Sequence, residues 1–201
     1  MSAAVDHDRW VAVPQTVRFP LELIPPPGFD PEDLGTWPTV AGRLEYVDGR
    51  LWFLPPCGDE QQDVVADVVV TLGTWIRQHP GFVLGTNEAG MRIGGVTRAA
   101  DAAIWRKQDA TPRVGGLRVV APILAVEVAG LGEPEELLRD KASWYFSVGV
   151  EVVWLILPKT REVVVLTEHG AQRFSRDQRL SEAPSLPQLT PVAAELFFQL
   201  D

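Results

Sequence analysis

Three charged residues stand where their own segments call for apolar ones. Glu127 interrupts the run Ile123-Leu124-Ala125-Val126-Glu127-Val128, Asp101 opens Asp101-Ala102-Ala103-Ile104-Trp105, and Lys141 lies among Leu137, Leu138, Trp144 and Tyr145. Alternation along a strand puts Glu127 on one face with Ile123 and Ala125. Helical residues three or four apart share a face, so Lys141 belongs on or beside an apolar stripe. An ionised carboxylate on a covered face is costly unless it meets a cation, a metal or hydrogen-bond donors. Two carboxylates, helped by the Val128 backbone carbonyl, are a donor set for Mg²⁺ or Mn²⁺, hard ions that take oxygen ligands. Such an ion orients water and screens charge on a phosphodiester, and a lysine can hold that water or stabilise developing charge. The bland alternative is a buried ion pair between Lys141 and one carboxylate, because structural pairs outnumber catalytic ones.

The elements that must position these groups are legible from pattern. Asp48-Gly49 between Arg43–Val47 and Arg50–Leu54 marks a hairpin. Val64, Val65, Val68, Val69, Leu72, Trp75 and Ile76 recur at helical spacing, so residues 60–79 form a helix, stopped by His79-Pro80-Gly81. Short strands follow at 82–85, 90–93 and 101–105, then a glycine-containing loop at 107–116. Val119–Val128 reads as a strand covered on both faces. A helix at 134–148, a strand at 151–157 and a strand at 162–167 complete the core, with a last turn near 191–199. Strand–helix–strand from 122 to 157 is a βαβ unit with parallel strands, flanked by antiparallel hairpins. The class is therefore α/β, a mixed β-sheet flanked by helices. Residues 1–30 form a proline-rich N-terminal arm, and Asp30-Pro31 starts a short helix with Asp30 as its cap.

The 201 residues suffice for one domain with a real core. The N-terminus lacks a basic segment followed by an apolar run, and no apolar run is long enough to span a bilayer. The lone Cys57 forms no internal disulfide, which suits a reducing cytoplasm. The net charge of −9 argues against tight nonspecific DNA binding, because phosphate neutralisation drives that affinity. No P-loop or dinucleotide fingerprint is present, and His7, His79 and His169 are too scattered for a zinc site. Trp105, Trp144 and Trp154 read as core or interface residues.

Over roughly residues 30–167 the chain resembles the Uma-type restriction-endonuclease family of the PD-(D/E)XK nuclease superfamily. The matching pieces are Leu44-Glu45-Tyr46-Val47-Asp48-Gly49-Arg50-Leu51, Asp101, Val126-Glu127-Val128, Lys141 and Tyr145 at K-x-x-x-Y spacing, Gly149-Val150 and Trp154-Leu155-Ile156. The resemblance implies a restriction-endonuclease-like core over residues 31–201. It implies metal-binding acids at Asp101 and Glu127, a catalytic Lys141 moved from the strand to the following helix, and an additional acid at Glu45. Read from the hairpin alone, Glu45 could equally be a solvated residue on a polar strand face. The sequence departs from the family pattern at Ala100 (usually proline) and Gly130 (usually serine). It departs again at Gln61 or Gln62, where a histidine is common, and at Glu151-Val152-Val153.

The expected activity is Mg²⁺- or Mn²⁺-dependent hydrolysis of DNA phosphodiester bonds. One rival is a catalytically silent interaction module on the same fold. Another is an unrelated small-ligand-binding α/β protein whose charged trio is only an ion pair. Exposed hairpins and surplus tryptophans make a homodimer a reasonable expectation.

Overall fold

Asp48 and Gly49 both adopt positive φ, 51° and 79°, the primed turn that matches the twist of the flanking strands. They join β2 (Arg43–Val47) to β3 (Arg50–Leu54) in register Arg43↔Leu54 to Val47↔Arg50. The structure, a computed structural model, describes residues 19–110 and 115–201. Residues 1–18 of the expected arm and 111–114 of the expected 107–116 loop lie outside the described residues. Within the remainder of the arm, β1 (Leu21–Leu23) pairs antiparallel with β3. The expected helix at Asp30 is replaced by a 3-10 turn at Leu34–Thr36. Asp30 instead accepts from the Glu32 N–H in a local turn, and Asp33 caps the 3-10 turn by accepting from the Gly35 N–H. Gly35 and Pro38 leave no room for a longer helix.

Helix α1 (Asp59–Gln78) begins with Asp59 and Glu60, whose charges complement the positive end of the helix. It buries Val64, Val68, Leu72 and Trp75, the stripe that periodicity marks. The two strands expected at 82–85 and 90–93 are one, β4 (Phe82–Ile93), interrupted between Thr86 and Ala89, where Asn87 and Glu88 take positive φ. Its partner β5 (Val96–Arg106) is twice the expected length. Small residues such as Ala99, Ala100, Ala102 and Ala103 blur the alternation there, so only the β4 ladder makes the whole strand evident. β6 (Leu124–Val128), α2 (Glu135–Ser147) and β7 (Val152–Leu157) form the βαβ unit, and β6 and β7 pair in parallel. β8 (Glu162–Thr167) and β9 (Gly170–Ser175) close the sheet as an antiparallel hairpin. β9 has a mostly exposed, polar sequence and carried no apolar signal.

Among the described residues the sheet has nine strands, ordered β1-β3-β2-β5-β6-β7-β8-β9, with β4 on the other edge of β5. One core lies between α1, the sheet and a C-terminal 3-10 segment (Ala193–Leu200), and contains Val126, Val128, Trp154, Leu196 and Phe197. The other lies under α2 and contains Ala103, Ala125, Leu138, Tyr145 and Leu155. Each fully buried Leu, Val or Phe stabilises by about 1.5–3 kcal/mol, so the two cores together orient the strand ends rigidly. Among the described residues no helix is long and apolar enough to cross a membrane.

Candidate active site

The charged residues meet at a fork in the sheet. β5 uses one edge for β4 from end to end, broken only at the Thr86–Ala89 irregularity opposite Asp101. On its other edge it pairs with β2 only at Thr97 and with β6 only from Ala102 to Ile104. Between those contacts β2 and β6 diverge, and residues 98–101 are paired with neither strand on that edge. Side chains take the place of the missing ladder. The Ala99 N–H donates to Glu45 Oε1 at 3.5 Å, Lys141 Nζ donates to the Ala99 carbonyl at 3.5 Å, and Asp101 Oδ2 accepts from the Val128 N–H at 2.7 Å. Buried backbone groups must find partners, so a strand fork is a natural place for charged side chains.

Extending the Ala102↔Val126 register by one position sets Asp101 opposite Glu127 on the face that α2 covers. Ala103 and Ala125 share that face. Ile123, expected there, packs in the opposite core, because β6 begins at Leu124 and the residue before it leaves the alternation. On α2, Leu138, Ala142 and Tyr145 are buried beside Lys141, whereas Leu137 is partly exposed. Lys141 therefore sits at the margin of the stripe and reaches the sheet with its ammonium.

Glu127, only 2% exposed, has both oxygens engaged. Lys141 Nζ donates to Oε2 at 2.7 Å and the Tyr145 hydroxyl donates to Oε1 at 2.5 Å. Lys141 Nζ also lies 3.6 Å from Glu45 Oε1. Glu45 is buried rather than solvated, with Arg98 Nη1 at 3.5 Å and Arg43 Nε at 3.8 Å. Arg43 Nη1 is 3.8 Å from Asp101 Oδ1. Glu45, Asp101 and Glu127 thus face Arg43, Arg98 and Lys141, and the formal charges cancel.

Burial pushes the Asp101 carboxyl above its ordinary range, with Lys141, the Val128 N–H and Arg43 opposing the rise. Burial likewise raises Glu127; Lys141 opposes this and Asp101 reinforces it. Burial works against ionisation of Glu45 as well, but Lys141, Arg43 and Arg98 outweigh it and hold Glu45 low. Lys141 is held high, since Glu127 and Glu45 outweigh the cost of burying its charge. Ionised Glu45 secures the charge on Lys141, and Asp101 and Glu127 accept a proton more readily than Glu45 does. Burial and Glu127 push the Tyr145 hydroxyl well up, so it remains a donor.

Among the described residues no three Asp, Glu, His or Cys side chains close on one point as a cation cage. Asp101 Oδ1 accepts no hydrogen bond from the described residues and faces Arg43. The Val128 carbonyl accepts from Gln61 Nε2 at 3.0 Å. Two carboxylates on adjacent strands with a carbonyl beside them suit an ion that keeps several waters, as Mg²⁺ does. They do not suit a fully caged one.

Sequence reasoning named Asp101, Glu127, Lys141, Glu45 and Val128, and the fold brings all five together. It gave no role to Arg43, Arg98, Tyr145 or Gln61. Arg43 lies two residues before Glu45 on one strand face, and Tyr145 four after Lys141 on one helix face, so spacing held a signal for both. Gln61 was noted only as a replacement, and its contact with the Val128 carbonyl spans 67 positions.

A cleft of about 520 Å³, lined by Glu45, Trp52, Arg98, Glu133, Asp140 and Lys141, opens onto one side of the cluster. A second of about 340 Å³, lined by Arg43, Glu88 and Arg98, opens onto another. A larger cavity, about 720 Å³ between the α2–β7 turn, the β8–β9 hairpin and residues 181–185, contains no member of the cluster. Volume alone does not locate this chemistry.

A nine-stranded mixed sheet flanked by helices, with acids at a strand fork and a lysine on the crossover helix, defines an α/β protein of the restriction-endonuclease-like class. The chain belongs to the Uma2 family, whose model, described as "Putative restriction endonuclease", matches residues 31–199. It is similar to a crystal structure described as "a putative nuclease belonging to DUF820" from Anabaena variabilis. The TM-score is 0.75 at 16% identity, over 86% of this chain and 99% of that one. That likeness is one of fold. A comparison with curated proteins gives no match.

Proposed function

We propose that this chain is a divalent-cation-dependent nuclease that hydrolyses DNA phosphodiester bonds at the strand fork. The observation that carries the reading is the burial of Asp101, Glu127 and Glu45 about Lys141, with a cleft that reaches Glu45 and Lys141 from solvent. Asp101, Glu127 and the Val128 carbonyl would hold Mg²⁺ or Mn²⁺. When bound, such an ion supplies charge neutralisation at a phosphoryl oxygen and lowers the pKa of an attacking water.

The remaining work falls to the chain's own residues. Lys141 stays charged and donates to negative charge building on the scissile phosphate or to the attacking water. Glu45 keeps that ammonium charged and, as a low-pKa carboxylate, accepts a hydrogen bond from water. Tyr145 fixes the carboxylate plane of Glu127. Arg98 lies 5.4 Å over the Trp144 ring and close to Glu45, where it lines the larger of the two clefts at the cluster and can receive a non-bridging phosphate oxygen.

One observation favours a second reading, a silent interaction module. Every oxygen of Glu127 is engaged, and Gln61 occupies the Val128 carbonyl near Gly130. Cleavage of plasmid and single-stranded DNA with Mg²⁺ and Mn²⁺ separates the two, with Lys141→Ala and Asp101→Asn beside wild type. Cleavage by wild type and loss in both variants supports the nuclease. No cleavage by pure, folded wild type supports the module.

A further inference from the structure

Arg43 and Arg98 both reach the carboxylates of the fork, yet they are held differently. Arg98 donates to Glu45 and packs over the Trp144 ring. Arg43 makes no hydrogen bond to the acids it faces. Its Nη1 and Nε stand 3.8 Å from Asp101 Oδ1 and Glu45 Oε1, and its Nε is buried without a hydrogen-bond partner. A guanidinium normally binds carboxylates through short, paired bonds. Here charge alone holds it, against the oxygen of Asp101 that no hydrogen bond occupies.

Arg43 also has somewhere to go. It lines the cleft of about 340 Å³ on its side of the fork. Glu88, exposed on the irregular turn of β4, lines the same cleft and adds its field to those of Glu45, Glu127 and Asp101 at the guanidinium. Arg43 therefore has acids both at the fork and toward solvent.

We propose that Arg43 is a displaceable internal counter-cation, which neutralises Asp101 and Glu45 until a divalent ion binds at Asp101 and sends the guanidinium into the Glu88 cleft. The inference rests on the metal site proposed above and adds that metal binding competes with a residue of the chain. Two unlike cations then hold the acids in turn, so the buried carboxylates are never left uncompensated.

The test is calorimetric titration of Mn²⁺ into wild type, Arg43→Gln, Arg43→Lys and Asp101→Asn. Melting temperature is measured with and without Mn²⁺. Removing a positive charge at this range raises affinity for a divalent ion by about tenfold or more at a protein-like dielectric. Arg43→Gln is expected to bind Mn²⁺ at least that much more tightly, to melt lower without the ion, and to regain most of the loss with it. Arg43→Lys, which keeps the charge, is expected to stay within about threefold of wild type, as a Coulombic competitor would.

An unchanged or weaker Mn²⁺ affinity in Arg43→Gln overturns the proposal, while loss of binding in Asp101→Asn leaves the metal site standing. No Mn²⁺ binding by any variant, or full binding by Asp101→Asn, overturns both. Should Arg43→Gln not fold, wild type still decides. The Arg43 Nε–Hε resonance, assigned by its loss in Arg43→Lys, must move on saturation with diamagnetic Mg²⁺. A resonance that stays in place while Mg²⁺ binds refutes displacement.

Discussion

Truncating Lys141 to alanine removes the ammonium that donates to Glu127 at 2.7 Å and lies 3.6 Å from Glu45. Lys141 is 8% exposed and Glu127 2%, so the truncation leaves a buried carboxylate short of its cation. Breaking a buried pair from one side costs about 3–5 kcal/mol. Glu127 keeps the Tyr145 hydroxyl and Glu45 keeps Arg98, which places this case at the lower end, about 3 kcal/mol at pH 8. Glu127 is already raised by burial in the wild type, with Lys141 the largest opposing influence, and losing the lysine raises it further. A carboxyl whose folded pKa exceeds its unfolded value of about 4.3 carries no penalty below that pH and an increasing one as pH rises toward the folded value. The variant's deficit should therefore be at least about 1 kcal/mol smaller at pH 5 than at pH 8, each pKa unit being worth about 1.4 kcal/mol. The wild-type contribution of Lys141 has the opposite origin. Its raised pKa keeps that contribution intact up to its unfolded value of about 10.4, and it is lost only as pH passes the folded one. Denaturant unfolding at both pH values measures the difference, and adding Glu127→Gln to Lys141→Ala should restore at least half of it. A loss under about 1 kcal/mol at pH 8, or one equal at both pH values, would refute the claim that Glu127 is a buried carboxylate held by Lys141.

Other substitutions separate structure from chemistry. Asp101→Asn keeps an acceptor for the Val128 N–H, so stability should stay within about 1.5 kcal/mol of wild type while cleavage and Mn²⁺ affinity are lost; melting and calorimetry check this. Tyr145→Phe removes a hydroxyl that donates to a buried carboxylate and should cost about 1.5–3 kcal/mol in denaturant unfolding, with Mn²⁺ still bound. Gly42→Ala puts a Cβ 2.5 Å from Phe53 Cε2 and closer still to the Leu54 carbonyl; the backbone next to Arg43 must shift, and unfolding should show a loss of about 1–3 kcal/mol. Gly130→Ser brings a Cβ within 3.1 Å of Gln61 Oε1, the end of a flexible side chain; it should fold with a change under about 1 kcal/mol and, by moving Gln61 off the Val128 carbonyl, raise Mn²⁺ affinity in titration.

Much of this protein is local in origin. Asp48-Gly49 specifies the hairpin because only turn residues tolerate two successive positive φ values. The apolar stripe of α1 specifies its buried face, and the almost unbroken apolar run ending at Val128 specifies a strand covered on both faces, although the strand spans only Leu124–Val128 of the expected Val119–Val128 and Val119 is exposed. Asp101, Glu127 and Lys141 were visible because each contradicts its own segment, and polarity on a covered face is costly whatever the fold. The long β4–β5 ladder was less legible. Alanine-rich stretches carry little alternation, and their length comes from the partner strand. The fork itself was beyond the sequence. Its existence depends on β2 and β6 leaving the same edge of β5 at different points, which is a matter of register between strands far apart in the chain. From that divergence follow the missing ladder bonds at residues 98–101, the burial of Glu45, and the three cations that balance three acids. Pattern reports which residues must be covered; only the packed strands decide which charges cover one another.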